Sequence, residues 1–224
     1  MLEELGVTYK LHQSMPSTSN VTSFNPSGKV PVLLEFDDKA PSENDSIKDT
    51  VPSFVLAESA AINTYLGESL SSSLVPNGPR EKALYDQTIH FIMSEIDGQA
   101  LWMYRKHVHL GKIFGFIPEI KESSKKHFHR MNRLMVEQLK TSKGDFLLGR
   151  EFTAADILYV NCLNWAKSYE WDEYYTDDLE DYISRCQERP AYQRAKEIRN
   201  HSQPPGEGMK KAKEMEPSVG RSSL

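Results

Sequence analysis

Apolar positions along this chain recur with two different periods. Val32, Leu33 and Leu34 form a short run behind Gly28 and Val30-Pro31, and Phe54-Val55-Leu56-Ala57 forms a second, so a strand is predicted at each. Val7-Thr8-Tyr9-Lys10-Leu11 predicts a further strand, after Leu2 to Leu5 read as the last turn of a helix closed by Gly6. Ala60, Ala61, Ile62, Tyr65 and Leu66 then carry the spacing of a buried helical face, with Glu58 and Ser59 where that helix begins.

Beyond Arg80 the spacing is helical almost throughout. Leu84, Ile89, Ile92, Ile96 and Leu101 mark one long helix, and another is predicted from about Pro118 to Lys140. The segment through Leu158, Val160, Leu163 and Trp165 is apolar nearly all round, as a central buried helix should be. Leu179, Tyr182, Ile183 and Cys186 trace a further amphipathic helix, ended by Arg189-Pro190.

Polar stretches divide these elements. Residues 12–27 predict a loop with one helical turn, residues 37–52 a mobile acidic insertion, and the Ser-, Pro- and Gly-rich residues 71–79 a linker. From Asn200 onward nothing remains to bury, which predicts a disordered tail. The organisation is therefore an α/β domain over residues 1–70, the linker, an all-helical domain over 80–199, and a tail over 200–224.

Composition narrows the function. No apolar run approaches the ~20 residues of a membrane span, so no membrane partner is expected. A net charge of −5 argues against a nucleic-acid partner, which clustered Lys and Arg would serve. Two cysteines, Cys162 and Cys186, each inside a predicted helix, suggest a reducing compartment. The first residues lack the basic region and apolar core of a signal peptide, so a cytoplasmic location is expected.

The chemistry concentrates between Gly28 and Leu66. Proline cannot donate to a sheet ladder, so Pro31 belongs at the first position of its strand, where the preceding peptide can be cis, and the Val30 backbone groups stay free for a ligand. Free N–H groups at a helix start attract a carboxylate, and the Ser59 hydroxyl can donate to the same group. The Glu58 side chain can accept from an amine, so the pair suits an α-amino acid group.

Gly28-Lys29-Val30-Pro31 followed by Glu58-Ser59-Ala60-Ala61-Ile62 and Tyr65-Leu66 resembles the glutathione-binding half of the cytosolic glutathione transferase family. The resemblance implies a thioredoxin-like N-terminal domain followed by an all-helical C-terminal domain. It assigns glutathione binding to Val30 through its backbone, Glu58 and Ser59 at the γ-glutamyl end, and Lys29 at the glycyl carboxylate. In that family the first helix follows a strand, with the thiol-activating residue between them. Neither stands ahead of Leu2 in this sequence, so the catalytic residue is unassigned.

Two later stretches extend the resemblance. Ser94 to His107 is similar to the helix that borders the electrophile cleft in some bacterial members, which places Trp102, Tyr104 and Arg105 on its wall. Core packing for Trp102 and solvent for Arg105 is the competing reading. Glu151-Phe152-Thr153-Ala154-Ala155-Asp156-Ile157 is similar to the family's second signature, with Thr153 as N-cap and Asp156 returning a hydrogen bond.

Glutathione is the co-substrate the resemblance implies, with a small hydrophobic electrophile as second substrate, a homodimer as assembly and no metal. His107 and His109, like His127 and His129, are two apart, which points their side chains away from each other on a helix. The alternatives to conjugation are a non-catalytic binding or protein-interaction module, and a glutathione-dependent reductase.

Overall fold

The computed structural model describes residues 1–37, 41 and 46–201. The chain opens on a single turn of helix, α1 (Leu2–Leu5), closed by Gly6 in the left-handed conformation. A second short turn follows, α2 (Ser19–Thr22). Two strands, β1 (Val32–Glu35) and β2 (Phe54–Ala57), then pair antiparallel, with Val32 opposite Ala57 and Glu35 opposite Phe54. The helix α3 (Ser59–Ser69) leaves β2 at once and buries Ile62 and Leu66.

The strand expected at Val7–Leu11 is not formed. That segment is irregular, because no described strand lies beside it to take its backbone groups; Tyr9 instead donates to Glu3 at 2.9 Å and Lys10 to the Pro41 carbonyl at 2.7 Å. Of the acidic insertion, residues 38–40 and 42–45 lie outside the described residues, and Ile47–Asp49 makes one 3-10 turn.

The helical domain begins with Pro79 at the first position of α4 (Pro79–Phe91), where its fixed φ suits the helix and its missing N–H costs nothing. The rod continues past Phe91, but from Ile92 to Trp102 and again from Arg105 to His109 it widens to π winding. Such segments often mark functional positions. A short turn, α5 (Gly111–Phe114), leads to α6 (Glu119–Thr141), then to α7 (Ala154–Lys167), α8 (Asp177–Gln187) and α9 (Pro190–His201). Asn200 and His201 thus belong to a helix; the remainder of the predicted tail lies outside the described residues.

The core lies where α7 passes between the long rod, α6 and α8. Tyr85, Ile92, Leu101, Phe128, Leu163 and Tyr182 are all fully buried there. Each such large side chain is worth about 1.5–3 kcal/mol of burial. Two buried phenols are satisfied within the bundle, Tyr159 by Asn132 at 2.6 Å and Tyr182 by Asp156 at 2.9 Å. Asp156 also accepts from the Leu147 N–H, the Thr153 N–H and the Thr153 hydroxyl, so one carboxylate ties a loop, the start of α7 and α8 together.

The N-terminal elements are fastened to this bundle. Thr64 of α3 meets the Tyr85 hydroxyl at 3.0 Å, and the Ala154 N–H donates to the linker carbonyl of Leu74 at 2.9 Å. Arg189 makes two bonds of 2.8 Å to the Glu4 carboxylate while stacking 3.9 Å from the centre of the Phe152 ring. These ties hold β1, β2 and α3 beside the widened rod.

Candidate functional site

The turn leading into β1 is built by Asn25, which is buried. Its amide nitrogen donates to the Lys29 carbonyl at 2.9 Å, and its oxygen accepts from the Ser27 backbone and hydroxyl at 3.2 and 2.9 Å. Gly28 takes φ +70°, and a Cβ there would lie 2.8 Å from the Ser17 hydroxyl, so the turn requires glycine. The Val30–Pro31 peptide is cis, and Val30 is 48% exposed.

The antiparallel register places Pro31 and Glu58 at the same end of the ladder, immediately beyond Val32 and Ala57. Glu58 stands there at φ +72°, exposed, with no side-chain cap to α3, so its carboxylate is available. Ser59 opens α3 and is half-buried. Val30, Glu58 and Ser59, distant in sequence, therefore gather around one helix N-terminus, where backbone N–H groups and the helix dipole favour an anion.

Across from them runs the widened rod. The Lys29 ammonium lies 5.6 Å from the centre of the Trp102 ring, joining the α/β domain to the helical one. Asp97, earlier on the same rod, is a site residue that sequence reasoning missed. Burial raises its carboxyl above the ordinary aspartate value; Lys29 opposes the shift and Glu58 adds to it, so both charges reach it. The signal available in the sequence was an acid set among Ile92, Ile96 and Leu101, a stretch otherwise fit for burial.

The three residues expected on the electrophile wall part company. Trp102 meets Lys29, and the Arg105 guanidinium sits 6.0 Å from the Trp165 ring centre. Tyr104 is 8% exposed and belongs to the core, its ring 4.7 Å from Tyr169 and 4.9 Å from Trp171. Trp102 and Arg105 are half-buried and remain at the surface of the rod.

Neither cysteine is poised to react. Burial raises the Cys162 thiol well above its ordinary range, with the Asp97 charge adding to it, and burial pushes Cys186 up to about 12. Among the described residues no group of three His, Cys, Asp or Glu is arranged to hold a metal. His127 pairs with Glu95 at 3.0 Å and His107 with the Gly115 carbonyl at 2.9 Å.

A groove of about 1150 Å³ lies elsewhere, lined by Gly67, Val75, Leu84, Gln138 and Leu147 among others. Its lysine, Lys82, is already paired with Asp86 at 2.6 Å and Glu68 at 3.5 Å. The chemistry favours the β-ladder end over this groove, because the former offers unpaired charge of both signs beside a helix start.

Scans of the sequence against family models and against curated proteins return no match. Solved structures do resemble the chain. BphK, a bacterial glutathione transferase seen in a ternary complex, superposes with a TM-score of 0.69 at 22% identity, covering 89% of this chain and 91% of the other. The chain has the glutathione transferase fold. A glutathione transferase from Methylococcus capsulatus str. Bath gives a TM-score of 0.69 at 22% identity over 89% and 90% of the two chains. The glutathione transferase URE2P6 from Phanerochaete chrysosporium, in complex with oxidized glutathione, gives 0.67 at 23% over 89% and 88%. The glutathione transferase fold thus spans both the small α/β domain and the helical bundle.

Proposed function

We propose that the chain is a glutathione S-transferase-like protein that binds glutathione beside α3 and conjugates it to small hydrophobic electrophiles. The observation that carries this reading is the gathering of Val30, Glu58 and Ser59 at one end of the ladder, with Lys29 and Trp102 facing them from the two sides of the domain boundary.

The residues present fit the molecule. An α-amino acid group takes the Ser59 N–H and hydroxyl for its carboxylate and the exposed Glu58 carboxylate for its amine. Val30 is 48% exposed, which leaves its backbone groups for the central peptide, and Lys29 supplies the cation for the far carboxylate. Bound glutathione supplies the thiol nucleophile. The chain's contribution is to orient that thiol and to hold positive charge nearby through Arg105, while Trp102 offers a flat apolar surface to the second substrate. A detoxifying role in the cytoplasm and a homodimeric assembly complete the proposal, as the family resemblance implies.

One observation favours the binding-module reading in its place. Of the hydroxyls nearest in sequence to the expected thiol position, those of Tyr9, Ser14 and Ser17, the first two are engaged by Glu3 at 2.9 Å and His12 at 3.1 Å. A conjugation assay with glutathione and a small aryl halide separates the two. Turnover that falls about tenfold in Arg105→Ala supports the transferase. Glutathione binding without turnover supports the binding module.

A further inference from the structure

The end of the long rod carries a surface that glutathione binding does not use. Every residue from Lys112 to Glu119 is exposed, and four are large and apolar: Ile113 at 73%, Phe114 at 45%, Phe116 at 61% and Ile117 at 39%. Single exposed apolar residues are ordinary, but a contiguous group of this kind marks an interaction surface.

The tip is held in place from behind. The Ile113 and Phe114 N–H groups donate to the Leu110 carbonyl at 2.8 and 3.1 Å, and the Ile117 N–H donates to the His107 carbonyl at 3.1 Å. The His107 ring meets the Gly115 carbonyl at 2.9 Å, and Gly115 turns the chain at φ +89°. A Cβ at Gly111 would lie 2.9 Å from the Phe116 Cβ, so the base of the turn is close-packed while its side chains face outward.

Lysines flank the tip along the chain. Lys106 lies 5.7 Å from the Phe114 ring centre, Lys112 is exposed within the turn, and Lys121 is exposed two residues beyond it. None of these three lysines forms an ion pair with a described residue, and over residues 106–122 they stand against two acids, Glu119 and Glu122, a net charge of +1 for that stretch. The chain as a whole carries −5, so this local excess of positive charge runs against the average.

We propose that the Lys112–Glu119 turn docks on an anionic lipid surface, its aromatic and aliphatic side chains entering the headgroup layer while Lys106, Lys112 and Lys121 meet the phosphates. The shape and the charge both favour this occupant. A protruding turn of Phe and Ile needs no complementary groove in a bilayer, and lysines can lay their stems along the apolar layer with their heads in the polar one. The anionic leaflet faces the cytoplasm, and contact of this kind needs no spanning helix; among the described residues none is long and apolar enough to cross a membrane.

The test is co-sedimentation of the full chain with vesicles of phosphatidylcholine alone and of phosphatidylcholine with phosphatidylserine. Binding is expected only with phosphatidylserine, weakening as salt rises. Lys112→Gln with Lys121→Gln should weaken it on the order of thirtyfold, and Ile113→Ser with Phe116→Ser should abolish it without changing the melting temperature or glutathione affinity. Failure to sediment with phosphatidylserine vesicles, or equal sedimentation by both double variants, overturns the proposal. It is overturned equally if the Ile113→Ser, Phe116→Ser chain changes from dimer to monomer while the parent ignores vesicles, since the turn then joins two copies.

Discussion

The Lys29 ammonium lies 5.6 Å from the centre of the Trp102 ring, a contact between the turn that enters β1 and the rod of the helical domain. A cation over an indole is worth about 0.5–1 kcal/mol when exposed and about 2 when sheltered. Trp102→Ala should therefore lower glutathione affinity several-fold by releasing Lys29 from its place, while Trp102→Phe retains most of it. Titration of both variants checks this; equal losses for Phe and Ala would mean that the ring face does not position the lysine.

Glu58 combines backbone strain with a charge. At φ +72° a residue with a side chain costs on the order of 1 kcal/mol that glycine avoids. Glu58→Gly should raise the melting temperature by about 2–4 °C while weakening glutathione binding about tenfold, and Glu58→Ala should weaken binding without the thermal gain. Thermal denaturation alongside titration reads both effects, and a stabilised Glu58→Gly that still binds fully would remove Glu58 from the site.

Asp97 gives the site a pH signature. Burial raises its folded value above the ordinary 3.8, with Lys29 opposing and Glu58 adding. A carboxyl that binds its proton more tightly when folded contributes most stability below its unfolded value, and that contribution is lost as pH rises through the folded value. Asp97→Asn should thus melt above the parent at neutral pH and alongside it at about pH 3. A variant that melts below the parent at neutral pH would show that the ionised carboxylate is stabilising after all.

What the sequence made legible was local backbone chemistry. Gly28, the cis Val30–Pro31 peptide and the Glu58–Ser59 helix start each depend on residues a few positions apart, and each stands where their types require. The strand expected at Val7–Leu11 failed for the opposite reason: alternation describes a strand's faces, but a ladder needs a neighbour, and no described strand supplies one. Asp97 was hidden because its role comes from Lys29 and Glu58, which only the folded chain brings near. Tyr104 is expected on a cleft wall because Ser94 to His107 resembles a cleft-bordering helix, but a resemblance along a helix does not fix which way each of its side chains faces. The structure turns Tyr104 instead into the aromatic group of Tyr169 and Trp171.

The Asp156 knot is where the bundle should be most easily undone. Four donors converge on its carboxylate, from Leu147, Thr153 twice and Tyr182, at 2.8 to 3.0 Å. Asp156→Ala leaves them without an acceptor inside the core and should cost about 3–5 kcal/mol. The melting temperature would fall by roughly 10 °C or more, with the helical content of α7 and α8 lost together. A fall of only a degree or two would mean that water replaces the carboxylate without cost.

The central claim is that the end of the two-stranded ladder is a glutathione site. Calorimetric titration of glutathione into the full chain and into Ser59→Ala tests it most directly, with circular dichroism confirming that both are folded. The account predicts saturable binding by the parent and an affinity lower by about tenfold in the variant, the loss of a hydrogen bond to a charged group. Identical affinities in the two folded chains, or no binding by either, would contradict it.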